Sequence, residues 1–184
     1  MPKIQTSKED LIAKSTQIFL KSGYYHTSFA DLARACGIEK SHFYYYFTDK
    51  RDLMNQCLLF FSGKIQKNVF DISMDESITP SQRIGKMLGY VYELHTENGY
   101  GCLFGNTLLE TVNREPYFEQ TIRDFFDSWK KALSHLYAEI SIKTDLEEMA
   151  FNDIEKIQGS IMLMKLYNDK SLLQKAIDQI LARF

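Results

Sequence analysis

Two short segments with helical apolar spacing, Phe29 to Ala35 and Glu39 to Phe47, flank the tripeptide Cys36-Gly37-Ile38. No other feature constrains the chain as much. Glycine enters left-handed backbone without a Cβ clash, so it permits the sharp reversal between two short helices that makes a helix-turn-helix. Upstream, Leu11, Ile12, Ile18 and Phe19 recur at helical intervals between Ser7 and Ser22. Ser7 stands three residues before Asp10, and Ser28 three before Asp31. Each pair approximates a capping box, in which a hydroxyl and a carboxylate satisfy N–H groups that a helix start leaves orphaned. Gly23 suits the position just past the first helix, where left-handed backbone is common. The first fifty residues therefore read as three helices, the third following a tight turn.

The remainder is decided by composition. Of 184 residues only 3 are proline and 9 glycine, too few interruptions for a many-stranded β fold, while 45% hydrophobic and 14% aromatic residues supply a substantial core. Long helices are expected. One starts near Lys50, capped by Thr48 and Asp49, and carries Leu53, Met54, Cys57, Leu58, Phe61, Ile65 and Val69; the next starts at Pro80 and runs to about His95. Others span Leu103 to Val112, Pro116 to Ile140, Leu146 to Tyr167 and Ser171 to Arg183, with the polar stretch Asp71 to Thr79 as a break. The expected fold is all-α with about nine helices: a three-helix head, residues 1–50, and a helical-bundle body, residues 51–184. No fixed-period repeat suggests a solenoid.

Net charge is −2, but residues 1–55 carry +2 and the remainder −4, so the front is basic and the rear acidic. No apolar run approaches the roughly 18–20 residues that cross a bilayer, and MPKIQTSKED at the start has no apolar signal core. A soluble, cytoplasmic protein without a membrane partner is expected. Cys36, Cys57 and Cys102 are far apart with no CxxC pair, which points to free thiols. Glu39-x-x-His42 lacks the second such motif that a di-iron site needs, and Gly99, Gly101 and Gly105 spell GxGxxxG without a preceding strand. With no nucleotide loop, metal cluster, catalytic triad or paired carboxylates, neither an enzyme nor a cofactor is expected.

The head can be placed in a family. Ile12 to Phe19, Gly23-Tyr24, Thr27-Ser28-Phe29, Leu32-Ala33, Cys36-Gly37-Ile38, Lys40, Phe43-Tyr44, Tyr46-Phe47, Lys50 and Leu53 together resemble the DNA-binding domain of the TetR family of bacterial transcriptional repressors. The resemblance covers about a quarter of the chain. It implies an all-α homodimer with a DNA-binding head on a body that holds an effector pocket, with the last two helices as the dimer contact. It also implies a double-stranded, palindromic operator, because two-fold symmetry repeats the recognition helix on the DNA. Lys40, Ser41, His42 and Tyr45 are expected to face base edges in the major groove. Thr27, Ser28, Tyr44, Tyr46 and Lys50 are expected to anchor phosphates. Phe43 and Phe47 are expected in the core, while the tyrosines keep their hydroxyls wet. Glu39 stands where many relatives carry a capping Ser or Thr, and it repels the DNA backbone.

Behind the head, Gly101-Cys102-Leu103-Phe104-Gly105 looks like the Gly-Cys-x-x-Gly helix start of a TetR-like subgroup, some members of which respond to electrophiles or oxidants through a cysteine. A thiol in a first helical turn has its thiolate favoured by unpaired N–H groups, which makes Cys102 the reactive candidate; the alternative is a small buried hydrophobe at a tight junction. Tyr92, Phe104, Phe126, Trp129 and Tyr167 are the other candidates for an unidentified apolar effector, each with core packing as the competing role. The expected function is a ligand-responsive repressor. A thiol-reactive or small-molecule-binding protein with little DNA affinity is the alternative.

Overall fold

The computed structural model describes residues 7–114, 116–140 and 145–184, and among these there are nine α-helices and no strand. They are α1 (Lys8–Ser22), α2 (Phe29–Cys36), α3 (Lys40–Tyr46), α4 (Lys50–Asn68), α5 (Pro80–Asn98), α6 (Leu103–Thr111), α7 (Glu119–Ile140), α8 (Leu146–Tyr167) and α9 (Ser171–Leu181). Short polar side chains set several of the starts. Ser7 with Asp10, Ser28 with Asp31 and Thr79 with Gln82 form complete capping boxes, and Asp49 accepts the Asp52 N–H at 2.8 Å to open α4. Gly37 ends α2 in the left-handed region at φ 69°, ψ 32°, which makes the turn into α3. Gly23 has φ 82° with ψ 164°, so it turns the chain out of α1 with positive φ but extended rather than helical ψ.

Two segments differ from the expectation. Phe70–Met74, overlapping the stretch Asp71 to Thr79 read as a polar break, is a 3₁₀ turn in which Phe70 and Ser73 are buried and the Ser73 hydroxyl donates to the Phe70 carbonyl at 2.7 Å. Pro116 opens a second 3₁₀ turn, Pro116–Phe118, rather than α7 itself; Phe118 buries its ring edge-on against Tyr24 at 5.2 Å.

The chain divides into two compact units, Met1–Ser62 with Leu103–Ile122, and Gly63–Cys102 with Arg123–Phe184. The first thus takes in the opening turns of α4 and all of α6 beside the three head helices. Its core is Leu11, Phe19, Leu32, Phe43, Phe47, Leu53, Met54 and Leu58, with Phe61 of α4 meeting Phe104 of α6 at 6.1 Å. In the second unit α8 lies along α9 and α5 also touches α9. Two buried polar clusters tie that unit together. Arg83, 3% exposed, forks onto Glu139 at 2.6 and 2.9 Å and donates to the Ser73 carbonyl, while Tyr137 donates to Asp153 at 2.6 Å beside Arg183. Buried charges of this kind persist because each finds a partner.

Candidate nucleic-acid interface

A seven-residue helix is too short to persist alone in water, so α3 depends on what it buries. Phe43 and Phe47, one turn apart, supply that anchor: Phe43 is fully buried and stacks on Phe29 of α2 at 5.4 Å, with Phe47 6.0 Å away. With those rings inward, the opposite face of α3 must look outward. Lys40, Ser41, His42, Tyr44 and Tyr45 are exposed, Tyr45 to 80% and Tyr44 to 57%, and Tyr46 is half-buried against Tyr45. The Lys40 ammonium lies 5.5 Å over the Tyr44 ring, and Tyr44 meets Phe29 edge-on at 5.1 Å. One face of one short helix therefore presents a cation, a hydroxyl, an imidazole and two phenols. Glu39 precedes them as the N-cap of α3 and makes no side-chain cap bond.

Beside α3, Ser28 is exposed at the start of α2, where its hydroxyl accepts the Asp31 N–H and its own N–H donates to the Asp31 carboxylate. The hydrogen bonds from Ser28 hold the Asp31 carboxyl below its ordinary value, so it stays ionised. Two expected phosphate anchors are placed differently. Thr27 is 2% exposed and its hydroxyl donates inward to the Gly23 carbonyl at 2.7 Å, so it braces the loop between α1 and α2 rather than meeting solvent. Lys50 is half-buried, its ammonium donating to the Tyr24 carbonyl at 2.8 Å and lying 4.2 Å over the Tyr24 ring. Its ammonium is therefore already engaged by the protein.

The same loop is held by a residue that sequence reasoning missed. Glu110 of α6 accepts the Tyr24 and Tyr25 amides on one oxygen at 2.9 and 3.1 Å. Glu110 stands 86 positions after Tyr24, so no local pattern signals that pairing.

The effector candidates are dispersed. Phe104 belongs to the first unit and is fully buried; Tyr92, Cys102, Phe126 and Trp129 belong to the second, where Trp129 stacks on Phe126 and Phe70 at 6.4 Å from each. Tyr167 is 68% exposed on α8, beside the exposed Met162, Leu163 and Leu166, so it faces outward rather than lining a cavity. Cys102 is buried immediately ahead of α6 and not within its first turn. Burial pushes the Cys57 thiol up to about 12 and raises Cys36 as well. A pocket of about 610 Å³ in the second unit is lined instead by Met74, Ile78, Pro80, Arg83, His135 and Glu139 among others, none of them a candidate from the sequence. Among the described residues no three His, Cys, Asp or Glu side chains are grouped to hold a metal ion, and no described helix is long and apolar enough to cross a membrane.

Comparison with known proteins agrees with this layout. A model of "Bacterial regulatory proteins, tetR family" matches residues 11–57, and one of "Tetracyclin repressor-like, C-terminal domain" matches residues 80–180. The chain is 27% identical over 191 residues to an uncharacterized HTH-type transcriptional regulator in the lacX 3′ region of Lactococcus lactis subsp. lactis, covering 98% of this chain and 94% of the other. It is 28% identical to the HTH-type transcriptional repressor DhaR of Mycobacterium sp. (strain GP1), over 91% of this chain and 87% of that one. A crystal structure of a TetR transcriptional regulator from Legionella pneumophila superimposes with a TM-score of 0.87 at 24% identity, covering 97% of each chain.

Proposed function

This chain belongs to the tetR family of bacterial regulatory proteins, and we propose that it is a cytoplasmic homodimeric repressor that binds a palindromic operator and leaves it when a small molecule occupies its body. It is a helix-turn-helix, DNA-binding transcriptional regulator, as its relatives are. The observation that carries the finer reading is the exposed face of α3, turned outward by the burial of Phe43 and Phe47. On that reading Lys40, Ser41, His42 and Tyr45 meet base edges, and Ser28, Tyr44, Tyr46 and Lys50 hold phosphates. Residues 1–50 serve as the head and 51–184 as the effector-binding and dimerisation body.

Dimerisation is assigned to α8 and α9. Phe151, Met162, Leu163, Leu166 and Tyr167 leave a row of large apolar side chains exposed on α8, and a second copy presenting the same row is the self-complementary way to cover it. Two recognition helices would then lie about 34 Å or a multiple apart, one DNA turn per step. The effector site is assigned to the apolar side chains of the body, with Tyr92, Phe126 and Trp129 as its candidates. Coupling of this kind is reciprocal: an effector that weakens operator binding must itself be bound less tightly on the operator.

The test is selection of bound fragments from random DNA with the full-length protein, then titration of the selected fragment at two salt concentrations. A palindromic fragment is expected, with affinity falling steeply with salt and lost in a Lys40→Ala, Tyr44→Ala double variant. No enrichment even at low salt would refute the reading.

A further inference from the structure

We propose that Glu110 is a positioning residue for operator binding: from α6 its carboxylate fixes the Tyr24-Tyr25 turn, and through that turn the setting of α2 and α3. The proposal rests on the DNA-binding reading above. Its physical basis is the way the chain leaves α1. Tyr24 and Tyr25 lie beyond the helix end, and both amides are spent on one oxygen of Glu110. Amide bonds to a carboxylate oxygen are stronger than those between two neutral groups. Gly23 makes the approach possible, since a Cβ there would stand 2.5 Å from the other carboxylate oxygen.

The turn is held from a second side. Lys50 of α4 takes the Tyr24 carbonyl, and Phe118 meets the Tyr24 ring edge-on. Arg114 lies 5.5 Å over the Tyr25 ring. With Tyr24 only 3% exposed, the turn has little room to shift without breaking one of these contacts. The Thr27 hydroxyl then closes the loop on Gly23, one residue before the Ser28 cap. Whatever fixes Tyr24 and Tyr25 therefore fixes where α2 starts, and α2 carries Phe29, on which Phe43 of α3 stacks.

Charge separates this role from a bystander's. Removing an acidic side chain from a DNA-binding unit strengthens binding through long-range electrostatics alone. A positioning Glu110 predicts the opposite sign.

The experiment compares full-length wild type, Glu110→Gln and Glu110→Ala for affinity to the selected operator at one salt concentration, for amide hydrogen exchange at Tyr24 and Tyr25, and for thermal melting. Loss of a charge-assisted pair corresponds to roughly tenfold or more in an equilibrium constant. Glu110→Ala is therefore expected to bind the operator at least about tenfold more weakly, with both amides losing protection. Glu110→Gln, which keeps an acceptor oxygen, should fall between it and wild type, and it decides the matter if the alanine variant does not fold. Equal or tighter operator binding by both folded variants overturns the proposal, as does retained protection of both amides in Glu110→Ala. If wild type itself selects no DNA, the DNA-binding reading fails and the positioning role falls with it. Wild-type binding matched by the variants overturns the positioning role alone.

Discussion

Within the aromatic run 43–47, Phe43 and Tyr45 are two positions apart and should fail in opposite ways. Phe43 is fully buried, stacked on Phe29 and close to Phe47, so Phe43→Ala removes a whole ring from a filled core and strips α3 of half its anchor. Truncation of a buried phenylalanine costs about 3–5 kcal/mol, which for a chain of this length corresponds to a melting shift of roughly 6–20 °C. Phe43→Leu keeps most of the volume and should cost less, about 1–1.5 kcal/mol. Tyr45, 80% exposed, meets the Tyr46 ring edge-on, and its replacement by alanine should change stability by no more than about 0.5 kcal/mol. In operator binding the order reverses. Tyr45→Ala should weaken the selected operator by about 1–3 kcal/mol, the worth of one good base-edge contact, at a temperature where both proteins are folded. Phe43→Leu, measured at that temperature, should bind nearly as wild type. Thermal melting and fluorescence anisotropy on labelled operator give both numbers from one preparation. A Tyr45→Ala variant that melts several degrees lower with unchanged DNA affinity would refute the assignment of that residue to the interface.

Tyr137→Phe should lower stability by about 1–3 kcal/mol in urea unfolding, because it leaves the buried Asp153 carboxylate short of a donor at 2.6 Å. Gly23→Ala should cost about 1–3 kcal/mol, since φ 82° with ψ 164° is backbone that only glycine adopts without strain, and thermal melting reads it. Acid should destabilise the protein in two steps. His95 is held below its ordinary 6.5, first by burial, with its Nδ1 proton on the Val91 carbonyl; the unfolded chain takes up protons first, so stability falls as pH drops below about 6.5, and His95→Gln should flatten that step. Glu139 is held below its ordinary 4.5, first by its hydrogen bond from Arg83, so a further loss is expected as pH falls below about 4.5, visible in urea midpoints against pH. In the native protein at pH 8, Cys57 should react with a thiol reagent far more slowly than in denaturant, because its thiol is pushed up to about 12 and completely buried.

Much of the head is local chemistry, and local chemistry is legible in sequence. Ser7 and Ser28 cap their helices with partners three residues on, and Gly37 makes the turn that its lack of a Cβ permits. The start and end of α8 at Leu146 and Tyr167 are likewise those the apolar spacing predicts. The inward turn of Phe43 and Phe47 follows from helical periodicity, and the exposed face of α3 follows from it in turn. Other placements required the folded chain. Thr27 and Lys50 carry the right groups for phosphate contact, but the nearness of the Gly23 and Tyr24 carbonyls draws the Thr27 hydroxyl and one Lys50 donor inward. Tyr167 has the composition of a pocket residue, yet its position on α8 leaves it facing out. Glu110 has no neighbour in sequence that marks it, and its partners are amides that exist as orphans only because α1 stops at Ser22. Periodicity and caps act over three or four residues and so can be read along the chain. The direction in which a polar side chain spends its hydrogen bonds depends on which distant backbone groups packing brings within 3 Å, and that is decided only when the helices close on one another.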